Sequence, residues 1–113
     1  MTKNKHDKGK VIAVDLDGCL AQYDQWKGYD VIGEPIEPMM ALVKKWTKEG
    51  KIVKIFTARI HNHAKAKRYV EEWLEKHGMG GLEVTNIKEA GMSEFWDDRA
   101  VAVKKNTGEF FRW

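Results

Sequence analysis

The stretch Val11-Ile12-Ala13-Val14-Asp15-Leu16-Asp17-Gly18 decides how this chain folds. Its first four residues are apolar at consecutive rather than alternating positions, and three of them are β-branched. That is the pattern of a short strand buried on both faces, as in a parallel sheet. Two carboxylates and a glycine follow at once. In open α/β sheets the crevice outside the carboxyl ends of the strands is where ligands bind, so the end of this strand is the first place to look for chemistry.

Working outward, residues 18–38 carry Gly18, Gly28, Gly33, Pro35 and Pro38 among scattered aromatics, without a helical period. They read as a long loop with room for a small hairpin, and an irregular segment of about 20 residues is uncommon unless it has a function. Met39, Leu42, Val43 and Trp46 then recur at helical spacing, with Pro38 suited to the first turn and Gly50 to the position past the end. A second strand is expected over residues 51–56. A second amphipathic helix is expected over residues 62–77, through Ala66, Tyr69, Val70, Trp73 and Leu74, closed by Gly78. Short strands are expected at residues 82–84, 94–96 and 101–103, and an aromatic tail at residues 110–113 packs on the body or on a neighbouring subunit. Trp46, Trp73 and Trp96 fall at core-consistent positions. Strands alternating with helices predict an α/β fold: an open, mostly parallel, Rossmann-like sheet of about five strands with flanking helices and right-handed crossovers.

The 113 residues would expose roughly 6,400 Å² when folded against roughly 19,000 Å² unfolded, enough burial for one core and too little chain for two ordinary domains. A single domain over residues 11–113 is expected, preceded by a mobile basic segment, residues 1–10, with Lys3, Lys5, Lys8 and Lys10. The net charge of +3 rests on those lysines, so the remainder is close to neutral. This argues against a general nucleic-acid-coating surface and is compatible with an anionic substrate. No apolar run is long enough to span a bilayer, and residues 1–10 lack the apolar stretch of a signal peptide. With the lone Cys19 unable to form an internal disulfide, the chain reads as cytoplasmic, with no membrane partner.

The residues past each expected strand converge on one rim. They are Asp15, Asp17 and Gly18 after the first strand, Thr57 and Arg59 after the second, and Asp97, Asp98 and Arg99 beside the last, with Lys88 upstream. Carboxylates gathered in one place are costly unless a cation neutralises them. A hard divalent ion such as Mg²⁺ fits oxygen ligands and commonly binds one or two carboxylates together with substrate phosphate. A carboxylate beside such a metal can attack phosphorus, and a second can protonate the leaving oxygen.

The set Asp15-Leu16-Asp17-Gly18-Cys19-Leu20, Ile55-Phe56-Thr57, Lys88 and Phe95-Trp96-Asp97-Asp98, in that order, resembles the four motifs of the haloacid dehalogenase superfamily over about residues 10–105. The resemblance implies a Mg²⁺-dependent phosphohydrolase with Asp15 as nucleophile and Asp17 as general acid/base. It implies Mg²⁺ ligation by the Asp15 carboxylate, the Asp17 carbonyl and an acid of the fourth motif. Asp98 is favoured for that ligand, with Asp97 orienting a metal-bound water or the lysine. Thr57 would bond the phosphate and Lys88 would stabilise its charge. The triplets at 57–59 and 97–99 also resemble the phosphatase half of phage polynucleotide kinases, which makes Arg59 a substrate-phosphate contact. Cys19 departs from the family's usual Thr, and the chain lacks room for a cap domain. An open site of that kind suits a large phosphorylated substrate (a nucleic-acid or protein end), a small molecule, or a homo-oligomer in which another subunit covers the site.

Each residue also has a plainer reading. Asp15-Leu16-Asp17-Gly18 could be a turn, Thr57 a helix cap, and Arg59 a surface cation. Tyr23, Trp26 and Tyr29 either pack the loop or stack on a base or sugar. His61 and His63, two apart, do not share a helical face and are not expected to bind metal. The alternatives to a general phosphatase are a nucleic-acid 3′-phosphatase in particular, and a non-catalytic phosphate- or metal-binding partner module.

Overall fold

A computed structural model describes residues 10–112. Residues 1–9 of the basic segment and Trp113 of the aromatic tail lie outside the described residues. The elements run β1 (Val11–Val14), α1 (Glu37–Lys48), β2 (Ile52–Phe56), a 3-10 turn (Ala58–Ile60), α2 (Ala66–Lys76), β3 (Glu83–Thr85), β4 (Met92–Trp96), β5 (Ala102–Val103) and β6 (Phe110–Phe111).

The first four strands form one parallel sheet in the order β3-β2-β1-β4, and β5 and β6 form a separate antiparallel pair. The fold is thus mixed α/β with two helices. The expected five-stranded sheet is corrected to four, because the strand expected at 101–103 pairs with the C-terminal Phe110–Phe111 instead of joining β4. Trp96 is a second correction. It lies on a strand at the edge of the sheet among the described residues, keeps about a third of its surface exposed at 36%, and rests edge-on over Trp46. The tail residues Phe110 and Phe111 are exposed.

Strand alternation assigns the two faces of the sheet. Ile12, Val14, Val53, Ile55 and Val84 share one core with Met40, Val43 and Trp46 of α1 and with Val70, Trp73 and Leu74 of α2. Both helices therefore cover the same face, as two successive right-handed crossovers stepping in one direction require. α1 has proline in its first turn, Glu37 at its N-terminal end and Lys45 and Lys48 in its last turn, matching the helix dipole. Gly50 follows at φ +83°. α2 begins at Ala66, later than expected, because the 3-10 turn and residues 61–65 intervene.

The second face holds Val11, Ala13 and Met92, with Phe56 packed against them. It is crossed by the β3–β4 connection, residues 86–91, which contains no helix. Glu89 of this strap accepts from the Lys54 ammonium through both carboxylate oxygens, at 3.0 and 2.9 Å. Among the described residues no helix is long and apolar enough to cross a membrane.

Candidate active site

β1 is central, and its neighbours β2 and β4 are reached by connections that leave in opposite directions. The crevice at their carboxyl ends is where such sheets place ligands. The turn after β1 is set by two apolar anchors. Leu16 and Leu20 are fully buried, each contributing roughly 1.5–3 kcal/mol. The Leu16 carbonyl accepts from the amides of Cys19, Leu20 and Ala21 at 3.2, 2.9 and 2.9 Å. With the leucines inward, Asp15, Asp17 and Cys19 are left at the rim. Gly18 is at φ +88°, which favours glycine, and a Cβ there would displace the Asp98 carboxylate.

β4 brings the second acidic pair. The Asp15 amide donates to the Trp96 carbonyl at 2.9 Å, which fixes the spacing between Asp15 and the residues after Trp96. Asp15, Cys19 and Asp98 place one ligand atom each within 4.8 Å of one another. Asp97 accepts from the Arg99 amide at 2.7 Å and stands outside that cluster. The Asp15 carboxyl is pushed up from 3.8 to about 7, mainly by burial, then by the charge of Asp97 and by its hydrogen bond with Asp98. Cys19 is pushed up to about 11 by burial and by the charges of Asp15 and Asp98, and its thiol donates to the Trp96 carbonyl at 3.4 Å.

This donor set fits a hard cation. Two carboxylates converge, and burial together with their proximity raises Asp15; a divalent ion held by them would favour its charged form. The thiol, held protonated, is no ligand for such an ion and serves to tie the turn to β4.

Thr57 follows β2, buried, with its amide donating to the Thr85 carbonyl at 2.9 Å and its hydroxyl accepting from the Arg59 amide at 3.1 Å. It caps the 3-10 turn. Arg59 lies at the rim and lines the cavity beside Asp15 and Asp17, but its donors are already committed. Its side chain is 4% exposed, and all five guanidinium bonds are made internally. Two go to the Asp17 carboxylate at 2.7 and 2.9 Å, and three to the carbonyls of Gly28, Tyr29 and Val31. A cation whose donors are spent in this way has none left for a phosphate. Lys88 stands away from Asp15 and Thr57. The strap carries it over the second face, where its ammonium sits 5.1 Å from the centre of the Phe95 ring.

Two cavities flank Asp15 and Thr57. One, of about 270 Å³, is lined by Asp15, Asp17, Tyr23, Trp26, Arg59, Asp98 and Arg99 among others. The other, of about 330 Å³, includes Asp15, Thr57, His61, Asn86, Asp97 and Arg99. Lys88 lines neither, and Arg99 lines both. Arg99 has no role in the sequence pattern alone; its place beside two acids at a strand end is the signal that marks it. Asn86 directly follows β3 and could have been found by the same rule. Loop aromatics divide in their roles. Tyr29 stacks on His63 with ring centres 4.0 Å apart, whereas Tyr23 and Trp26 stay about half exposed at 48% and 49%, at the mouth of the first cavity.

Compared with models of protein families, with curated proteins and with solved structures, the chain matches none of them.

Proposed function

We propose that the chain is a Mg²⁺-dependent phosphomonoesterase of the haloacid dehalogenase type, a capless member with a Rossmann-like core. The observation that carries the proposal is the meeting of Asp15 and Asp98 at the carboxyl ends of adjacent strands, with the Asp15 carboxyl raised to about 7. A strongly perturbed carboxyl in a cleft, with a second carboxylate beside it, is the mark of a functional group. Mg²⁺ would be held by Asp15, Asp98 and the Asp17 carbonyl, and when bound it supplies charge neutralisation for an incoming phosphate dianion.

Asp15 attacks the phosphorus of the ester, forming an acyl phosphate as the alkoxide leaves. Asp17 delivers a proton to that leaving oxygen, then takes one from the water that hydrolyses the acyl phosphate, which regenerates Asp15 and releases phosphate. Both Asp17 oxygens accept from Arg59, and each keeps a second lone pair for this work. Arg99, at both cavities, is the cation available to the phosphate oxygens. Purified chain with 4-nitrophenyl phosphate tests this: turnover should stop with EDTA, return with Mg²⁺, and vanish in Asp15→Asn. Undiminished turnover in that variant removes the mechanism.

Two observations support narrower readings. The exposed Tyr23 and Trp26 favour a substrate with a base to stack, such as a nucleic-acid 3′-phosphate, whose binding would weaken steeply with salt. The absence of Lys88 from either cavity favours a binding module; it predicts Mg²⁺-dependent binding of a phosphate mimic without turnover of any ester.

A further inference from the structure

Arg59 is the most heavily committed side chain of the rim, and what it holds belongs to two different parts of it. One edge of the guanidinium meets the Asp17 carboxylate in a two-pronged bond. The remaining donors reach the carbonyls of Gly28 and Tyr29, at 3.2 and 3.0 Å, and of Val31, at 2.9 Å. Those carbonyls belong to the long loop between β1 and α1. The face of the guanidinium lies under the Trp26 ring, 4.9 Å from its centre. Arg59 is itself held from behind, where its amide is bonded by the buried Thr57 hydroxyl. No other side chain touches both the turn after β1 and the crown of the loop in this way, among the described residues.

We propose that Arg59 is a positioning residue that locks the Asp17 carboxylate and the aromatic loop together as one unit beside Asp15. A planar fork with five donors can do this, whereas a lysine ammonium, with three donors on one nitrogen, cannot reach both the carboxylate and three separate carbonyls. Arg59→Lys keeps the charge and loses the geometry. A misplacement of about 1 Å in a proton donor is enough to lower a rate on the order of 100-fold. The effect on chemistry rests on the reading of Asp17 as the acid; the effect on the loop does not.

The leaving group separates positioning from mere structural support. An alkyl phosphate needs its leaving oxygen protonated, and 4-nitrophenyl phosphate scarcely does, because nitrophenolate is stable without a proton. In Arg59→Lys, kcat/KM for an alkyl phosphate should fall about 100-fold, and for 4-nitrophenyl phosphate less than about tenfold. Adding Arg59→Lys to Asp17→Asn should cost the alkyl ester little more than Asp17→Asn alone, since the two act through one group. Backbone amide hydrogen exchange of residues 28–31 should quicken in Arg59→Lys, while the strands of the sheet exchange as in the wild type. Equal losses on both esters, or full additivity with Asp17→Asn, would overturn the link to Asp17. Unchanged exchange of the loop would overturn the link to the loop. A wild type that hydrolyses neither ester refutes the acid assignment itself, and the exchange measurement then still decides the loop separately.

Discussion

Replacing Asp15 by asparagine should make the folded chain more stable at pH 8, not less, although it removes the proposed nucleophile. The folded-state pKa of Asp15 lies near 7 and its ordinary value at 3.8. Between about pH 4 and 7 the folded chain holds a proton that the unfolded chain has lost, so stability falls as the pH rises through that window. Below it the penalty is absent, and above it the penalty is complete. At about 1.4 kcal/mol per pH unit the gap would amount to about 4 kcal/mol in a dry site. Asp15 is only partly buried, and screening by water brings the figure to about 1–2 kcal/mol. For a chain of this length that corresponds to about 4–8 °C in melting temperature. Thermal melts of wild type and Asp15→Asn in EDTA, at pH 4.5 and pH 8, read this directly. The variant should gain at pH 8 and show little difference at pH 4.5. Mg²⁺ should then raise the wild type at pH 8, by about 2.7 kcal/mol at a hundredfold excess over its Kd, and leave Asp15→Asn nearly unmoved. A variant no more stable than wild type at pH 8 would refute the burial and carboxylate crowding that raise the Asp15 carboxyl.

Other perturbations probe the rest of the rim. Gly18→Ala forces a Cβ toward Asp98 at a left-handed backbone position; it should lower stability by about 1–3 kcal/mol and abolish the Mg²⁺-induced shift in melting temperature. Arg99→Met should reduce kcat/KM on 4-nitrophenyl phosphate by at least about tenfold, and Lys88→Met by less than about threefold, as the charge-assisted bond to phosphate goes in one and not the other; steady-state kinetics would reveal a reversed order. Trp73→Phe removes the indole bond to the Gly33 carbonyl, 3.1 Å long. It should destabilise the chain by about 1–2 kcal/mol, checked by urea unfolding.

The legible parts of this structure are those written locally. Val11–Val14 is buried throughout, as an unbroken apolar run demands. The helical spacing of Val43 and Trp46, and of Val70, Trp73 and Leu74, marks the faces that pack on the sheet. The rim residues Asp15, Asp17 and Thr57 were found because they sit immediately after strands. What escaped depends on contacts distant in sequence. Arg59 bonds groups 28 to 42 residues away, and nothing in its neighbourhood distinguishes a committed guanidinium from a free one. Lys88 moved to the second face because the strap from β3 to β4 has too few residues for a helix and must cross the sheet directly. The pairing of Ala102–Val103 with Phe110–Phe111 replaced a fifth sheet strand because two-residue strands carry too little pattern to declare their partners.

The account stands most directly on whether Asp15 becomes phosphorylated. The chain would be quenched in acid during turnover of a phosphate ester with Mg²⁺, digested, and examined by mass spectrometry. The account predicts a phosphate on the peptide containing Asp15 in the wild type and none in Asp15→Asn. Turnover with phosphate on no residue, or on any residue other than Asp15, would contradict it.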